Sequence, residues 1–260
     1  MTRSIKIVKI GGNVVNNPDA LASFLADFVK LQGQKILVHG GGREATRLSA
    51  ALGIETTMIN GRRVTDRETL DVVTMVYAGL VNKRIVAALQ ALGCDAIGLS
   101  GADADVIRAT RRPATPVDFG YVGDIDDEDV AESVLAMLLR NGLTPVFCAI
   151  THDRQGQLLN CNADSVAAAV ACAASRIHPA SLIYCFEKPG VLSDADDDNS
   201  VISLITPENY ASLRESGAVS GGMIPKIDNA FSAINRGVKS VTIKSAADLL
   251  EPTAGTVIKA

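Results

Sequence analysis

KILVHGGGREATRL (Lys35–Leu48) is the stretch of sequence that decides the fold. It begins as a short apolar run with β-branched residues, which is typical of a strand, and three glycines follow as a turn. The residues after the glycines have the apolar spacing of a helix that ends at Gly53. Glycine turns between a strand and a helix often hold phosphate, because backbone N–H groups at a helix start attract anions.

Strands and helices alternate along the rest of the chain. The segments with strand character are IKIVKI, CDAIGLSG, LTPVFCAIT, SLIYCF and the closing VKSVTIKS, and residues 108–124 are typical of a hairpin or flap. Helices are predicted from Pro18, over 66–92 with a break near Gly79, and over DDEDVAESVLAMLLRNG with an acidic first turn, NADSVAAAVACAAS, PENYASLRESG and GGMIPKIDNAFSAINRG. Apolar strands without alternation indicate a mostly parallel sheet with helices on both faces. The predicted fold class is therefore α/β.

Composition limits the classes of function. A net charge of −4 and the absence of Trp argue against nucleic acid and against a membrane surface as partners. The five cysteines form no C-x-x-C pair, so we expect reduced thiols in a cytosolic protein. Lys6 and Lys9 interrupt the N-terminal apolar run, which therefore lacks a signal-peptide core, and no apolar run approaches the roughly 20 residues of a membrane helix. These features predict a cytoplasmic location.

Two familiar phosphate-binding patterns explain the glycine turn poorly. A P-loop is excluded because G-x-x-x-x-G-K-[ST] occurs nowhere in the chain. Gly40, Gly42 and Ala45 fit the dinucleotide pattern G-x-G-x-x-A, but that pattern needs an acidic residue about 20 positions later at the end of a second strand. Glu55 comes too early, and Asp66 opens an apparent helix.

A third interpretation uses other parts of the chain. Gly11 and Gly12 follow a strand and lie beside Lys9, and the stretch SGGMIPK places two more glycines ahead of Lys226. The Asn/Asp cluster NCNAD, with Asp164, opens a helix between them. Two glycine turns, two lysines and a bridging aspartate would form a clamp for a phosphoryl group in transfer, a reaction that relies on positioning and charge neutralisation.

The motifs together, in their order along the chain, resemble the amino-acid kinase family, and within it the members that phosphorylate N-acetyl-L-glutamate. The matching stretches are VKIGGN, VHGGG, NGRRVTD, LVNKRIV, GLSGAD, VGDI, NCNAD and SGGMIPKIDNA. The resemblance implies a single domain over 1–260, a three-layer αβα open sandwich of the carbamate kinase-like type with a mostly parallel central sheet of about eight strands. It also implies two lobes, with residues 1–175 for acylglutamate binding and dimerisation and residues 176–260 for ATP binding.

The reaction implied by the resemblance is ATP-dependent phosphorylation of the side-chain carboxylate of N-acetyl-L-glutamate to an acyl phosphate, in arginine biosynthesis. Lys9 and Lys226 would be catalytic residues that contact the phosphoryl oxygens, and Asp164 would hold the two lysines in place. The alternative role for Asp164 is that of a helix N-cap, and the two roles are not exclusive. The acceptor carboxylate, with a pKa of about 4.3, is already ionised at pH 7, so the reaction needs no general base.

The resemblance also implies the binding residues. Lys9 and Lys226 would bind phosphate together with the first glycine turn, Gly11 and Gly12, and the substrate would be bound by Gly41, Gly42, Arg63 and Asn160. Arg63 suits the substrate α-carboxylate, since its planar guanidinium can donate two parallel hydrogen bonds. Mg²⁺ would accompany ATP through phosphate oxygens and water, so no protein metal site is expected. His39, which has no nucleophile beside it, is expected to be a structural hydrogen-bonding residue.

Three positions depart from the family pattern. Arg62 stands where an apolar residue is usual, Glu187 where Asp is usual, and Ala102 where Lys is frequent. An additional cation at Arg62 could accommodate an acidic acyl group, so N-succinyl-L-glutamate is an alternative substrate. Glu187 and Ala102 bear on the nucleotide lobe.

The remaining expectations concern assembly and rival functions. The chain enters its first strand by about residue 5, without the N-terminal helix of arginine-inhibited hexameric relatives, so a homodimer without arginine feedback is expected, with the 66–92 region as its surface. A carrier-linked aminoadipate kinase is an alternative, but it needs a basic docking surface that a net charge of −4 disfavours. A non-catalytic ligand-binding regulator is a further alternative, which the presence of Lys9, Asp164 and Lys226 disfavours.

Overall fold

The structure is a computed structural model that describes residues 4–59, 61–126, 128–219, 221 and 223–260. Its strands, in chain order, are β1 (Ile5–Ile10), β2 (Gln34–His39), β3 (Met58–Ile59), β4 (Arg62–Arg63), β5 (Ala96–Leu99), β6 (Thr110–Arg111), β7 (Gly123–Asp124), β8 (Thr144–Phe147), β9 (Ile150–His152), β10 (Leu158–Asn160), β11 (Ala180–Phe186), β12 (Leu204–Ile205), β13 (Ser240–Ser245) and β14 (Thr256–Ile258).

The helices alternate with these strands. They are α1 (Gly12–Asn16), α2 (Pro18–Lys30), α3 (Gly42–Ala51), α4 (Arg67–Thr74), α5 (Asn82–Ala91), α6 (Glu132–Arg140), α7 (Ala163–Ile177), α8 (Pro207–Glu215) and α9 (Met223–Asn235). A π-helical turn, Met75–Val81, joins α4 to α5 without a break, and short 3₁₀ turns lie at Asp103–Asp105 and Ala246–Asp248.

One eight-stranded sheet forms the centre of the molecule, in the order β12-β14-β13-β11-β1-β2-β8-β5. Every pair in it is parallel except β13 with β14. The central strand β1 is almost entirely buried between β11 and β2, and Lys9 lies opposite Tyr184 on one side and Val38 on the other. The predicted fold class, an α/β sandwich with a mostly parallel sheet of about eight strands, is confirmed.

Helices cover both faces of the sheet. On one face α7 packs across β1 and β11 and contacts α6 and α9, while α2 and α5 pack together on the other face. The nine consecutive residues Val166–Ala174 of α7 are all buried, and seven of them are alanine or cysteine. Small side chains let this helix approach the sheet closely, which places its first turn beside the end of β1.

Several boundaries differ from the sequence prediction. The apolar stretch LTPVFCAIT is not one strand but two, β8 and β9, which lie in different sheets. The chain leaves the central sheet after Phe147, and because residues on both sides of this point are buried, the apolar pattern of the sequence does not show the change. The helix predicted over DDEDVAESVLAMLLRNG begins only at Glu132, so Asp126 and Asp129 are outside its first turn. No break occurs at Gly79, where the helix takes a π turn instead. The 108–124 hairpin is confirmed by the pairing of β6 with β7. The sheet does not close with β13, since β14 follows it.

One helical run in the described part of the chain, Arg67–Ala91, is long and apolar enough to cross a membrane by length and composition alone. Lys83 and Arg84 interrupt its apolar surface. A core helix of a globular protein meets the same criterion, and Val73 and Ile85 on this helix are fully buried against the rest of the protein.

Candidate active site

The candidate site lies where β1 and β11 end. After β1 the chain continues to β2 on one side of the sheet, and after β11 it continues toward β12, β13 and β14 on the other side. The direction of the strand order therefore reverses between β1 and β11, and the crevice there is a topological switch point of the sheet. Ligands of open α/β sheets bind at such crevices, outside the carboxyl ends of the strands. The glycine turns at 11–12 and 40–42 follow β1 and β2 directly and open onto it.

Two adjoining cavities occupy this crevice, with volumes of about 260 Å³ and 760 Å³. Lys9, Asp164, Arg63 and the glycines at 40–42 line both cavities. The smaller cavity is bounded further by residues of β7 and β10, and the larger by the loop after β11 and the start of α9. Every residue predicted from the sequence as part of the site lines at least one of the two.

Lys9 and Asp164 form a buried ion pair between the cavities. The Lys9 Nζ lies 2.7 Å from Asp164 Oδ1, and their side chains are 9% and 22% exposed. Asn162, not Asp164, caps α7: its side chain accepts a hydrogen bond of 2.7 Å from the Asp164 backbone N–H. The Tyr184 hydroxyl donates to the Asp164 carbonyl oxygen at 3.2 Å, which also holds the first turn of α7 on β11. The Asp164 carboxylate is therefore free of a capping role and faces Lys9.

Lys226 approaches the same place from the other side of the crevice. Its Nζ lies 4.0 Å from the ring centroid of Phe186, and the Lys9 Nζ lies 5.2 Å from that ring. Burial lowers the pKa of Lys226, the Asp164 carboxylate partly restores it, and the Lys9 charge lowers it further. Two ammonium groups near one aromatic ring, one of them paired with the Asp164 carboxylate, make a site suited to an anion.

Phe186 carries no signal in the sequence that would mark it as part of the site. Its position is decided by the parallel pairing of β11 with β1, which brings the end of β11 beside Lys9.

The glycine turns offer backbone donors to the cavities. In the described part of the chain, the N–H groups of Gly12, Gly41 and Gly42 donate no hydrogen bond. The N–H of Gly11 differs, since it donates to the Cys185 carbonyl oxygen at 3.2 Å. Unpaired N–H groups at a helix start are suited to phosphoryl oxygens.

Gly41 also has no room for a side chain. A Cβ built there would lie 2.7 Å from Cδ1 of Tyr77, a residue of the π turn. Tyr77 was not predicted from the sequence, because the π turn changes the helical phase that places it at the site.

Arg63 and Asn160 are both buried; Asn160 lines the smaller cavity and Arg63 lines both. The Arg63 guanidinium donates to the Gly42 carbonyl oxygen at 2.9 Å and to the hydroxyls of Thr46 and Thr56 at 2.8 and 3.2 Å. Asn160 Nδ2 donates to the Thr65 hydroxyl at 3.0 Å. Each side chain is thus fixed by protein contacts on one side, as a preorganised binding group requires.

Two more arginines line the smaller cavity. Arg62 is exposed at its rim, and Arg112, inside it, is paired through two nitrogens with the Asp124 carboxylate. Glu187 lines the larger cavity. Arg112 and Asp124 are further residues that sequence reasoning missed.

Two further points concern metal binding and the glycines of the SGGMIPK turn. Within residues 4–59, 61–126, 128–219, 221 and 223–260, no group of three or more His, Cys, Asp or Glu side chains could hold a metal ion. Ser220 and Gly222 of the predicted SGGMIPK turn lie outside the described residues, as does Asn60 of NGRRVTD.

Known proteins resemble the chain over its full length. An acetylglutamate kinase of Phocaeicola vulgatus is 53% identical over 259 residues and is covered completely, as is this chain. An acetylglutamate kinase of Cytophaga hutchinsonii is 51% identical, with 96% of this chain and 94% of that protein covered. An acetylglutamate kinase of Methanopyrus kandleri is 39% identical, with 98% of this chain and all of that protein covered.

Solved structures agree in fold. A protein from Streptococcus mutans superposes with a TM-score of 0.80 at 29% identity, covering 98% of both chains. Carbamate kinase from Giardia lamblia bound to AMP-PNP superposes with a TM-score of 0.67 at 15% identity, covering 99% of this chain and 98% of that one. The model of the amino acid kinase family matches residues 4–245. The chain belongs to the amino acid kinase family.

Proposed function

We propose that the protein transfers the γ-phosphoryl group of ATP to the side-chain carboxylate of N-acetyl-L-glutamate, as a step of arginine biosynthesis. The observation that carries the proposal is the Lys9–Asp164 ion pair, which lines both cavities, together with Lys226, which lines the larger cavity beside the same Phe186 ring. The names of relatives about 50% identical over the full chain support the substrate.

The charges suit the chemistry of this transfer. An ionised carboxylate has to approach a triphosphate, so the barrier arises from repulsion between anions rather than from proton removal. Lys9 and Lys226 would neutralise the phosphoryl oxygens, and Asp164 would hold the two ammonium groups at the junction. Preorganised charge of this kind contributes several kcal/mol to transition-state stabilisation, on the order of 10²–10³ in rate for each donor.

ATP would occupy the larger cavity and the acylated amino acid the smaller one. The N–H groups of Gly12, Gly41 and Gly42 would bind phosphoryl oxygens between them, with Gly11 shaping the first turn. The residues that line only the larger cavity include the loop after β11 and the start of α9, which supports a nucleotide lobe over 176–260. The residues of the smaller cavity all fall between Lys9 and Ser165, in the proposed acylglutamate lobe over 1–175.

Arg63 and Asn160 would bind the α-carboxylate of the substrate. Both are buried in the smaller cavity with their orientation fixed. Mg²⁺ would come with ATP and be held by phosphate oxygens and water, consistent with the ligand preference of this ion.

N-succinyl-L-glutamate is a second candidate substrate, favoured by one observation. Arg62 lines the smaller cavity beside Arg63, and it adds a positive charge for which a neutral N-acetyl group has no use, whereas the charge of Arg112 is already paired with Asp124. The kcat/KM ratio for the two acylglutamates decides between them. Arg62→Leu should reduce kcat/KM for the succinyl compound at least about tenfold more than for the acetyl compound; equal losses would remove Arg62 from acyl-group recognition.

A hydroxamate assay with ATP and each acylglutamate tests the proposed function, because hydroxylamine traps the acyl phosphate directly. Lys226→Ala should lower acyl phosphate formation at least about 100-fold while the protein remains folded. Lys30→Ala is the matched control, since Lys30 is an exposed lysine that pairs with Asp27 at the surface. Absence of acyl phosphate with the wild-type protein would leave the ligand-binding regulator as the better interpretation, and product formed only from a carrier-linked aminoadipate would favour that kinase.

We also propose a homodimer in the cytoplasm, formed through the helical run Arg67–Ala91. Met75 in this run is 54% exposed, although it is surrounded by buried neighbours in sequence. An exposed apolar side chain on a long apolar helix fits an isologous contact with a second copy.

A further inference from the structure

His39 lies directly beneath the second glycine turn and is fully buried. Its Nδ1 is 2.7 Å from the Gly40 carbonyl oxygen, and its Nε2 is 3.0 Å from Nδ2 of Asn82. His39 lines neither cavity of the described structure, so it touches no substrate of the proposed reaction. Its contacts nevertheless connect the helix α5 to the turn that offers donors to the phosphoryl group.

The neighbours of Asn82 determine where the imidazole proton is. Asn82 Nδ2 lies 2.9 Å from the Val146 carbonyl oxygen, and Asn82 Oδ1 lies 3.2 Å from the Lys83 Nζ. The opposite orientation of the amide would face oxygen to oxygen and NH₂ to ammonium, so the assignment is fixed by its partners. Nδ2 therefore donates to His39 Nε2, which must lack a proton, and the proton sits on Nδ1, where it is donated to the Gly40 oxygen.

The imidazole is neutral in the folded protein. Burial lowers the pKa of His39 to about 4; the hydrogen bond to Gly40 opposes this shift, and the Lys83 charge adds to it. The hydrogen bonds at both ring nitrogens are thus constant through the neutral pH range.

The hydrogen bond from His39 Nδ1–H to the Gly40 carbonyl oxygen sets the direction of the peptide between Gly40 and Gly41. The C=O and N–H of a trans peptide point to opposite sides. Since the Gly40 oxygen points inward to His39, the Gly41 N–H points outward, and Gly41 lines both cavities without another acceptor in the described part of the chain.

The π turn brings Tyr77 and Asn82 to the same face of the helix, toward the glycine turn and His39. The Asn82 N–H donates to the Tyr77 carbonyl oxygen, five residues earlier, in the pattern of a π-helix. Tyr77 packs against Gly41, while Asn82 bonds to His39. In a regular α-helix the residues that share a face are three or four apart, so these two would not both face the turn.

We propose that His39 and Asn82 are positioning residues for phosphoryl transfer, which hold the Gly40–Gly41 peptide so that the Gly41 N–H faces the phosphoryl group, with the π turn Met75–Val81 placing Asn82 and Tyr77 for this task. The inference rests on the proposed function. Misplacement of a donor by about 1 Å can cost on the order of 10²-fold in rate without changing which ligands bind.

The positioning role is tested by measuring how much a substitution changes kcat and how much it changes KM. His39→Leu should lower kcat at least about 30-fold and change the KM for ATP and for N-acetyl-L-glutamate less than about threefold. His39→Asn should recover at least about fivefold of that kcat, because its amide nitrogen can replace Nδ1 as the donor to Gly40. Thr144→Val is the matched control, which removes a buried hydroxyl of β8 bonded to Cys94 and should leave kcat within about twofold.

A second variant keeps the test decisive if the His39 variants fail to fold. Asn82→Ala removes the donor to Nε2 while the Nδ1 donor remains, and it should lower kcat about tenfold at nearly constant KM. Unchanged kcat in a folded His39→Leu or Asn82→Ala protein would overturn the inference, as would a loss that appears only in KM.

Long-range ¹H–¹⁵N spectra of the histidine rings test the hydrogen bonding independently of activity. The His39 signals should be those of the neutral Nδ1–H form from pH 6 to pH 8, and a proton on Nε2 would contradict the inference. A wild-type protein that forms no acyl phosphate would contradict the proposed function, whereas an active wild type with an equally active His39→Leu variant would contradict this inference alone.

Discussion

At the scale of single residues, the site depends on how much charge is gathered in a small volume. Lys9, Lys226 and Asp164 would carry a net positive charge when all three are ionised, in a crevice where burial lowers the pKa of Lys226. Burial is the main reason why the pKa of Lys226 is lowered, the Asp164 carboxylate opposes this shift, and the Lys9 charge adds to it.

This coupling predicts a pH effect. The proposed role needs the ammonium form of Lys226, so the rate should fall as pH rises through a pKa below the 10.5 of free lysine. Asp164→Asn removes a carboxylate that raises this pKa, so the falling limb of the rate profile should move to lower pH, and kcat should fall about 100-fold. Rate profiles from pH 7 to pH 10.5 measure both effects; a limb that stays in place would show that Asp164 does not influence Lys226.

His39 predicts a second pH effect, on stability. Its pKa is about 4 in the folded protein against 6.5 for an ordinary histidine, so between these values the unfolded chain binds more protons. The stabilisation is complete above pH 6.5 and is lost as pH falls toward 4, by at most about 3 kcal/mol. Urea unfolding of the wild type and His39→Asn at pH 7.5 and 4.5 should give a difference in free energy that shrinks at the lower pH. A constant difference would contradict a neutral, buried His39.

At the scale of elements, the sequence predicted which segments are helices and strands better than where they end. Lys9 and the Gly11–Gly12 turn follow directly from the IKIVKI pattern, and α3 follows from the opening stretch. The π turn could not be predicted, because one inserted residue changes the helical phase while leaving the composition unchanged. The need for glycine at position 98 could not be predicted either. A Cβ there would lie 1.9 Å from Asn82 Oδ1, a contact that arises only when α5 packs on β5.

The cap of α7 provides a test at this scale. Asn162→Ala removes the acceptor for the Asp164 N–H and should cost about 1 kcal/mol of stability. Because Asp164 occupies the same turn, kcat should also fall, by about tenfold or more. Asn17→Ala is the matched control, since Asn17 caps α2 in the same manner, through Asp19 and Ala20 at 3.1 Å.

Thermal unfolding and the hydroxamate assay separate the two effects of these caps. Both variants should lose similar stability, and only the α7 variant should lose activity. Equal activity in the two proteins would mean that the cap of α7 does not position the Asp164 carboxylate.

At the scale of the whole molecule, the site is a junction between two parts of one sheet. Residues on both sides of the switch point, from β1 and α7 and from β11 and α9, meet only because β11 pairs with β1 in parallel register. Sequence motifs located Lys9, Asp164 and Lys226 separately, and their roles as a group remain predictions that the kinetic tests address.

The proposed dimer gives a prediction at the same scale. Met75→Glu places two like charges near the two-fold axis of an isologous contact and should convert the dimer to a monomer in light scattering. Met137→Glu is the matched control, because Met137 is 48% exposed on α6, away from the helical run Arg67–Ala91. A hexameric wild type, or a Met75→Glu protein with unchanged mass, would contradict the proposed assembly.

The sequence by itself determined the fold class and the family, and it singled out Lys9, Asp164 and Lys226, because apolar periodicity, glycine turns and motif order are local properties of the chain. Only the tertiary structure decided that Lys9 and Lys226 both lie near the Phe186 ring, that Tyr77 contacts Gly41 and Asn82 contacts His39, and that Asn162 rather than Asp164 caps α7. Those facts depend on strand register, helical phase and packing between segments far apart in the chain. Such contacts are specified by the sum of many interactions, so no single stretch of sequence contains them.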